Sequence, residues 1–173
     1  MALQTTYQQD LNVGFAGQAQ HFNPGDVIPK VNAEVSYAIP FGVAVCFGAT
    51  DNAALSPDAT SDVIVGINLH RHGSIGSTTS ELDANGAVNP GTVMDIMRKG
   101  KVYVVCENGC VPGNRLFVRA VAGGAEIEGA LRSAADSTDC IDSSNQGVWL
   151  STAAAGALAI LEVDFTASPN IGS

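Results

Sequence analysis

Hydrophobic and polar residues alternate with a period of two along several segments of the chain. In residues 115–121, one face of an extended strand would carry Leu116, Val118 and Ala120. The alternation recurs near the end of the sequence, where one face would carry Ala159, Leu161, Val163 and Phe165. Because side chains of a strand point alternately to its two faces, this pattern predicts strands with one face on a core.

Short apolar runs bounded by Gly, Pro, Asn or Asp predict further strands. These runs cover residues 27–31, 41–49, 63–72, 92–98 and 101–107. Three Pro-Gly steps, at 24–25, 90–91 and 112–113, predict type II turns that lead into strands, because Pro fixes the first central φ and Gly allows a positive second one. The whole pattern predicts an all-β fold, a single β-barrel or β-sandwich of short antiparallel strands.

The first 22 residues differ from the rest of the chain. They are rich in Gln and Asn and carry only isolated apolar side chains, among them Tyr7, Phe15 and Phe22. So few apolar residues cannot form a core of their own. We therefore predict an extended N-terminal arm over residues 1–22 and a single β domain over residues 23–173. The arm's aromatic side chains become buried only against the body, a sister subunit or another protein, and burial between molecules is the favoured interpretation.

Composition and charge exclude several classes of protein. The chain has 173 residues, of which 46% are hydrophobic and 14% charged, a balance typical of folded proteins rather than disordered ones. Its net charge of −9 repels phosphate, which argues against a nucleic-acid partner. No apolar stretch approaches the length of a membrane span, and residues 1–6 do not resemble a leader. We therefore expect a soluble chain, made in the cytoplasm, with no membrane partner.

Two features suggest contact surfaces. Arg98, Lys99 and Lys101 form a compact basic cluster between two predicted strands, which indicates either a charged hairpin tip or a surface that docks on an acidic partner. Trp149 comes just before the last predicted strand. Its large side chain either packs in the core or anchors an interface.

The signals for site chemistry are weak. His70 and His72 would point to one face of a strand end and could share a metal ion, but no third ligand follows at a fixed spacing. The four cysteines match no zinc spacing and are expected to be free and mostly buried, although Cys106 and Cys110 could approach each other across a turn. Residues 131–146 are predicted to form a long polar loop. No catalytic residue, metal or cofactor is predicted.

The order of several segments carries a resemblance to a known family. These segments are residues 5–17, 39–45, 65–67, 98–104, 111–114 and 147–163, of which the last is the most similar. Together they resemble the structural cement proteins of tailed bacteriophages, also called capsid decoration or head-stabilisation proteins. The cysteine pair, the polar loop and the two histidines are not features of that resemblance.

The resemblance implies a function without catalysis. Proteins of this family bind the outside of the mature capsid as homodimers or homotrimers and bridge neighbouring major capsid protein subunits, so the expected location is the exterior of the virion. The candidate capsid or subunit interface then consists of Tyr7, Phe15, Phe22, Arg98, Lys99, Lys101 and Trp149. Two alternatives remain: a carbohydrate-binding or host-attachment β module of a virion, and a metal-dependent enzyme of the barrel class that uses His70 and His72.

Overall fold

The computed structural model describes residues 14–20, 25–70 and 86–166. These residues form twelve β-strands and no helix: β1 Asp26–Asn32, β2 Ile39–Pro40, β3 Ala44–Phe47, β4 Ala53–Leu55, β5 Ile64–Asn68, β6 Ala87–Val88, β7 Val93–Cys106, β8 Phe117–Arg119, β9 Leu131–Arg132, β10 Cys140–Asp142, β11 Gly147–Trp149 and β12 Ala157–Asp164. Within the same ranges there is accordingly no helix that is long and apolar enough to cross a membrane. The predicted all-β class is confirmed.

Five of the strands close into a barrel. β1 pairs with β4, β4 with β3, β3 with β5 and β5 with β7, and β7 pairs again with β1. The β1–β4 pairing is parallel, whereas the other four are antiparallel. Closure pairs the backbone N–H and C=O groups that the edge strands of an open sheet would leave unpaired.

Most of the remaining strands are attached to the second half of β7, either directly or through a neighbouring strand. β12 pairs with β7 over eight residues, from Ala157 opposite Cys106 to Asp164 opposite Lys99. β11 continues this sheet on the far side of β12, and β9 joins β7 in parallel. β8 lies between β9 and β10. One strand therefore belongs to the barrel through its first half and to a second layer through its other half.

The predicted core faces are confirmed. Leu116, Val118 and Ala120 have no solvent exposure. The alternating residues of the last strand are also buried, and both sets belong to one cluster that extends from the second layer into the barrel. A second buried cluster includes Val45, while Ala44 and Cys46 on either side of it belong to the first. β3 therefore separates two cores, which is the arrangement expected of a strand buried on both faces.

Two buried asparagines attach the small β2–β6 sheet to the barrel. The Nδ2 of Asn32 donates a hydrogen bond to the Val88 carbonyl at 2.7 Å, and the Nδ2 of Asn68 donates to the Pro40 carbonyl at 2.8 Å. Both asparagines are fully buried. Each amide thus satisfies strand carbonyls that a buried position hides from water.

Two of the three predicted Pro-Gly turns lie within the described residues and are confirmed. In turns 89–92 and 111–114, the amide of the fourth residue donates to the carbonyl of the first at 3.1 Å. Gly91 and Gly113 have φ of 76° and 91°, the positive values that a type II turn requires at this position. The proline of the third turn, Pro24, lies outside the described residues.

The predicted hairpin tip at the basic cluster is wrong. Residues 98–101 lie in the middle of β7, which runs for 14 residues without a turn. Gly100 takes a φ of 143°, a value that glycine adopts readily, and the chain continues as a strand. On the facing strand, the register shifts between Asp26 and Val27. The strand pair thus accommodates Gly100 with a local shift in register, at the position where the sequence pattern had predicted that the chain reverses direction.

The close crossing of β5 and β7 gives a test of the barrel. A Cβ at Gly66 would lie 2.3 Å from the Met97 carbonyl oxygen and 2.6 Å from the Ile96 side chain. We expect Gly66→Ala to lower the free energy of unfolding by about 2 to 3 kcal/mol, because backbone must move to admit the methyl group. The control is Gly123→Ala, whose methyl meets only the Glu126 carboxylate. Denaturant unfolding that ranks the two variants equally would contradict this packing.

Candidate functional site

Residues 14–20 of the predicted arm bind to the body of the same chain. The Gly17 amide donates to the Tyr103 carbonyl, and the Tyr103 amide donates to the Gln18 carbonyl, both at 2.8 Å. The segment therefore runs antiparallel to β7 on the edge opposite β12. This part of the arm is attached to β7 by an isolated β-bridge between Ala19 and Val102, with hydrogen bonds on either side of it.

His70 lies between two aromatic rings. Its ring centroid is 4.4 Å from that of Phe15 and 4.7 Å from that of Phe41. The His70 amide also donates to the Gly17 carbonyl at 2.9 Å. His70 thus joins the arm segment to the end of β5, while Phe15 remains 43% exposed on the outer side.

Three other residues singled out from the sequence cannot be placed. Tyr7, Phe22 and His72 lie outside the described residues. Within residues 14–20, 25–70 and 86–166, no group of three or more His, Cys, Asp or Glu side chains is arranged to hold a metal ion.

Each residue of the basic cluster faces an acidic residue of this chain. Arg98 lies 3.5 Å from Asp26, Lys99 lies 2.7 Å from Asp164, and Lys101 is opposite Glu162 in the β7–β12 register. The hydrogen bond from Lys99 lowers the pKa of Asp164 to about 2, and the same contact raises the pKa of Lys99. The cluster therefore forms a mixed-charge ladder, not a positive patch.

Four residues of the ladder, Lys99, Lys101, Glu162 and Asp164, line an open groove of about 660 Å³. Residues 144–148 and Arg115 also line it. Its lining has side chains of both charges, and the rest is mostly backbone and short side chains. The groove can therefore both donate and accept hydrogen bonds, and it has no strong net electrostatic field.

Trp149 packs in the core. Its side chain has no solvent exposure, and its Nε1 donates to the Arg132 carbonyl at 3.2 Å. Of the two interpretations of this residue, core packing is therefore confirmed. In the folded chain Trp149 has no accessible surface to offer a partner.

A buried ion network was not anticipated from the sequence. The Arg119 side chain is 1% exposed, and its Nη2 lies 2.7 Å from Glu107, 2.9 Å from Glu126 and 2.8 Å from Asp136. Arg132 shares Glu107 at 2.6 Å. These contacts raise the pKa of Arg119, and they lower the pKa of Asp136 chiefly through its hydrogen bond from Arg119. The alternating pattern placed Arg119 on the face opposite the core, and nothing local identifies its three carboxylate partners.

The prediction of a long polar loop over residues 131–146 is wrong in part. The segment begins with β9, contains β10, and is held through Asp136 by the buried Arg119. The remaining turns between these points are short. Pairing with β8 explains the difference, because two- and three-residue strands are too short to give a clear alternation.

The cysteines are free, as predicted. Cys46, Cys106 and Cys110 are buried, and Cys140 is half-buried. The Cys106 thiol donates to Asn108 Oδ1 at 3.7 Å and the Cys110 thiol donates to the Ser151 carbonyl at 3.4 Å, and burial raises the pKa of Cys106 to about 12. A thiol with so high a pKa is a poor nucleophile, which makes a structural role the appropriate one.

The Lys99–Asp164 contact allows a prediction of how the pKa of Asp164 and the stability of the fold behave at acid pH. In the Lys99→Met variant, the pKa of Asp164 should rise from about 2 toward the ordinary value of about 3.9, because its main hydrogen-bond donor is lost. The native contact should stabilise the fold above about pH 4 and fade as the pH falls toward the lowered pKa. NMR titration of the carboxyl carbon measures the midpoint directly. Lys101→Met is the matched control, and an equal shift in both variants would contradict the pairing.

Comparisons with known proteins agree on one group. The family described as structural cement protein (E217 gp24/Pam3 gp6) matches residues 3–164. A chain from the solved structure titled "The capsid of Myoviridae Phage XM1" has the same fold, with a TM-score of 0.67 and 16% sequence identity. The alignment covers 95% of this chain and 98% of that one. No curated protein matches this chain in sequence.

Proposed function

Because this chain belongs to the structural cement protein family of phages, which gives it a structural role on a capsid in the virion, we propose that it binds the outer surface of an assembled capsid. It binds there as a homo-oligomer and bridges neighbouring major capsid protein subunits. The observation that carries the proposal is the family match, which spans nearly the whole chain from residue 3 to residue 164.

The proposed mechanism is thermodynamic linkage. A protein that binds the assembled shell more tightly than the separate subunits stabilises the shell by mass action. If one copy contacts two capsid subunits, the second contact forms at a high effective concentration, so two weak contacts give strong attachment. The chain needs no reactive group for this function, and its main requirements are a rigid body and accessible contact surfaces.

The charge arrangement of the described residues supports such a role. Arg98 and Lys99 are paired with Asp26 of β1 and Asp164 of β12, and Arg119 and Arg132 are paired with Glu107 and Asp136. Much of the positive charge is thus paired with carboxylates of the same chain. The outer surface then makes contact through apolar side chains, backbone groups and an excess of carboxylates.

The arm extends the proposal to residues 1–13. The described chain begins at Gly14, whose Cα lies so close to the Tyr103 ring that a Cβ there would be 2.8 Å from it. Gly14, to which residues 1–13 are joined, therefore lies against the body. We assign them, with Tyr7, to contacts with the capsid or with a sister subunit, where burial of their apolar side chains offsets the cost of ordering the chain.

The function is tested on capsids produced without this protein. Purified chain should cosediment with intact capsids and raise their temperature of disruption, whereas separate capsid subunits should bind it at least about tenfold more weakly. Cryo-electron microscopy of the complex then shows where copies lie and how many meet. Equal binding to capsids and to free subunits, or an unchanged disruption temperature at saturation, would refute the proposal.

The arm is tested by deletion of residues 1–13. This deletion keeps residues 14–20, which are hydrogen-bonded to β7, so the thermal unfolding of the isolated chain should stay the same. Capsid affinity should fall by about tenfold or more, since several apolar side chains are removed from the contact. Deletion of residues 167–173 serves as the control truncation. The assignment fails if both truncated chains bind like the full chain.

A further inference from the structure

A second groove lies on another part of the surface, between the β2–β3 connection, β7 and residues 125–131. Its volume is about 310 Å³, and its lining is mostly apolar. Phe41, Val43 and Leu131 are buried beneath it, while Val105 and Ile127 line it and remain 42% and 44% exposed. Large apolar side chains that are half exposed around a concave apolar surface are typical of an interaction site.

The groove has carboxylates along one side. Glu107 and Glu126 both line it, and both contact the buried Arg119. In this network three carboxylates, those of Glu107, Glu126 and Asp136, share the guanidinium groups of Arg119 and Arg132. The network therefore keeps an excess of negative charge beside an apolar cavity.

A further carboxylate follows the groove residue Ile127 directly along the chain. The next residue, Glu128, has a raised pKa, first because it is partly buried and then because Glu34 and Asp58 lie near it. Among the ion pairs of the described residues, none involves these three carboxylates. A cation brought by a partner would relieve their mutual repulsion.

We propose that this groove is a docking site for a segment of a different protein, in which an apolar side chain fills the cavity and neighbouring lysine or arginine side chains meet the flanking carboxylates. The inference rests on the proposed function, since the partner it requires on the virion is a capsid subunit. The cavity is at the small end of the range for ligand pockets, so it fits one or two side chains better than a cofactor.

The charges favour a different protein over residues 1–13 or a second copy of this chain as the occupant. Residues 1–13 contain no lysine or arginine. A second copy would bring another net charge of −9 against an acidic surface. Opposite charges flanking an apolar contact select one partner and disfavour such copies.

The apolar contact is tested by Ile127→Ser in the full chain. Its affinity for capsids produced without this protein should fall by about tenfold or more, as expected for an apolar residue at the centre of a contact. The matched control is Val111→Ser, because Val111 is 51% exposed and does not line the groove. Its affinity should stay within about twofold of wild type. Equal affinities of the Ile127 and Val111 variants would overturn the proposal.

The charge contribution is tested by Glu128→Gln, which leaves the Arg119 network intact. Binding should weaken by about twofold to tenfold and should depend less on salt concentration than wild-type binding does. Asp51→Asn, at an exposed aspartate away from the groove, is the control. An unchanged salt dependence in the Glu128 variant would contradict the proposed cationic occupant.

The occupant itself is identified by a photoreactive phenylalanine analogue at position 127. After irradiation on capsids, mass spectrometry should find it attached to a capsid subunit next to a lysine or arginine. Attachment to residues 1–13 or to another copy of this chain would overturn the proposal. If wild-type chain does not bind capsids at all, both the proposed function and the groove fail, whereas wild-type binding that Ile127→Ser leaves unchanged removes the groove alone.

Discussion

The pairing of β7 is the constraint on which the rest of the structure depends. This one strand of 14 residues is hydrogen-bonded to β1, β5, β9 and β12 and to residues 14–20. A shift of its register by one residue would turn every side chain to the opposite face and would separate Lys99 from Asp164. Both cores, the arm segment and both grooves are therefore positioned by a single register. Gly100 allows β7 to belong to both layers, because its backbone conformation lets the strand pass from the barrel to the second layer without ending.

Buried polar groups fix the parts of the surface that the strands alone would leave loose. Asn32 and Asn68 hold the β2–β6 sheet, which places Phe41 beside the second groove. Arg119 holds Glu107 and Glu126, which also line the second groove. A buried guanidinium that loses its partners is strongly destabilising, so the carboxylates beside the groove are held in place by the stability of the fold. The shape of this surface is consequently set before any partner arrives, which lowers the cost of binding.

The sequence predicted those features that depend on neighbours along the chain. The buried faces of β8 and β12 follow from alternation, and the turns at Gly91 and Gly113 follow from the conformations that Pro and Gly allow. The errors occurred where distant residues decide the outcome. A glycine between cations looks like a hairpin tip, and only the pairing of these residues with β1 and β12, far away in sequence, shows that they are strand. Arg119 was missed for the same reason, because its partners come from three separate segments. For the candidate interface, composition indicated contact between molecules but not which face makes it.

The distribution of charge links the fold to the way a cement protein is expected to hold a shell. Cations paired within the molecule contribute little to attraction between molecules, because each of their fields is cancelled within a few ångströms. The mixed ladder on β1, β7 and β12 therefore makes attachment neither strongly dependent on salt nor strongly selective. Glu128 and its neighbours Glu34 and Asp58 are different, since their charge is not compensated by an ion pair among the described residues. Selectivity for a capsid partner then comes from this small region, while the apolar cavity next to it supplies most of the affinity.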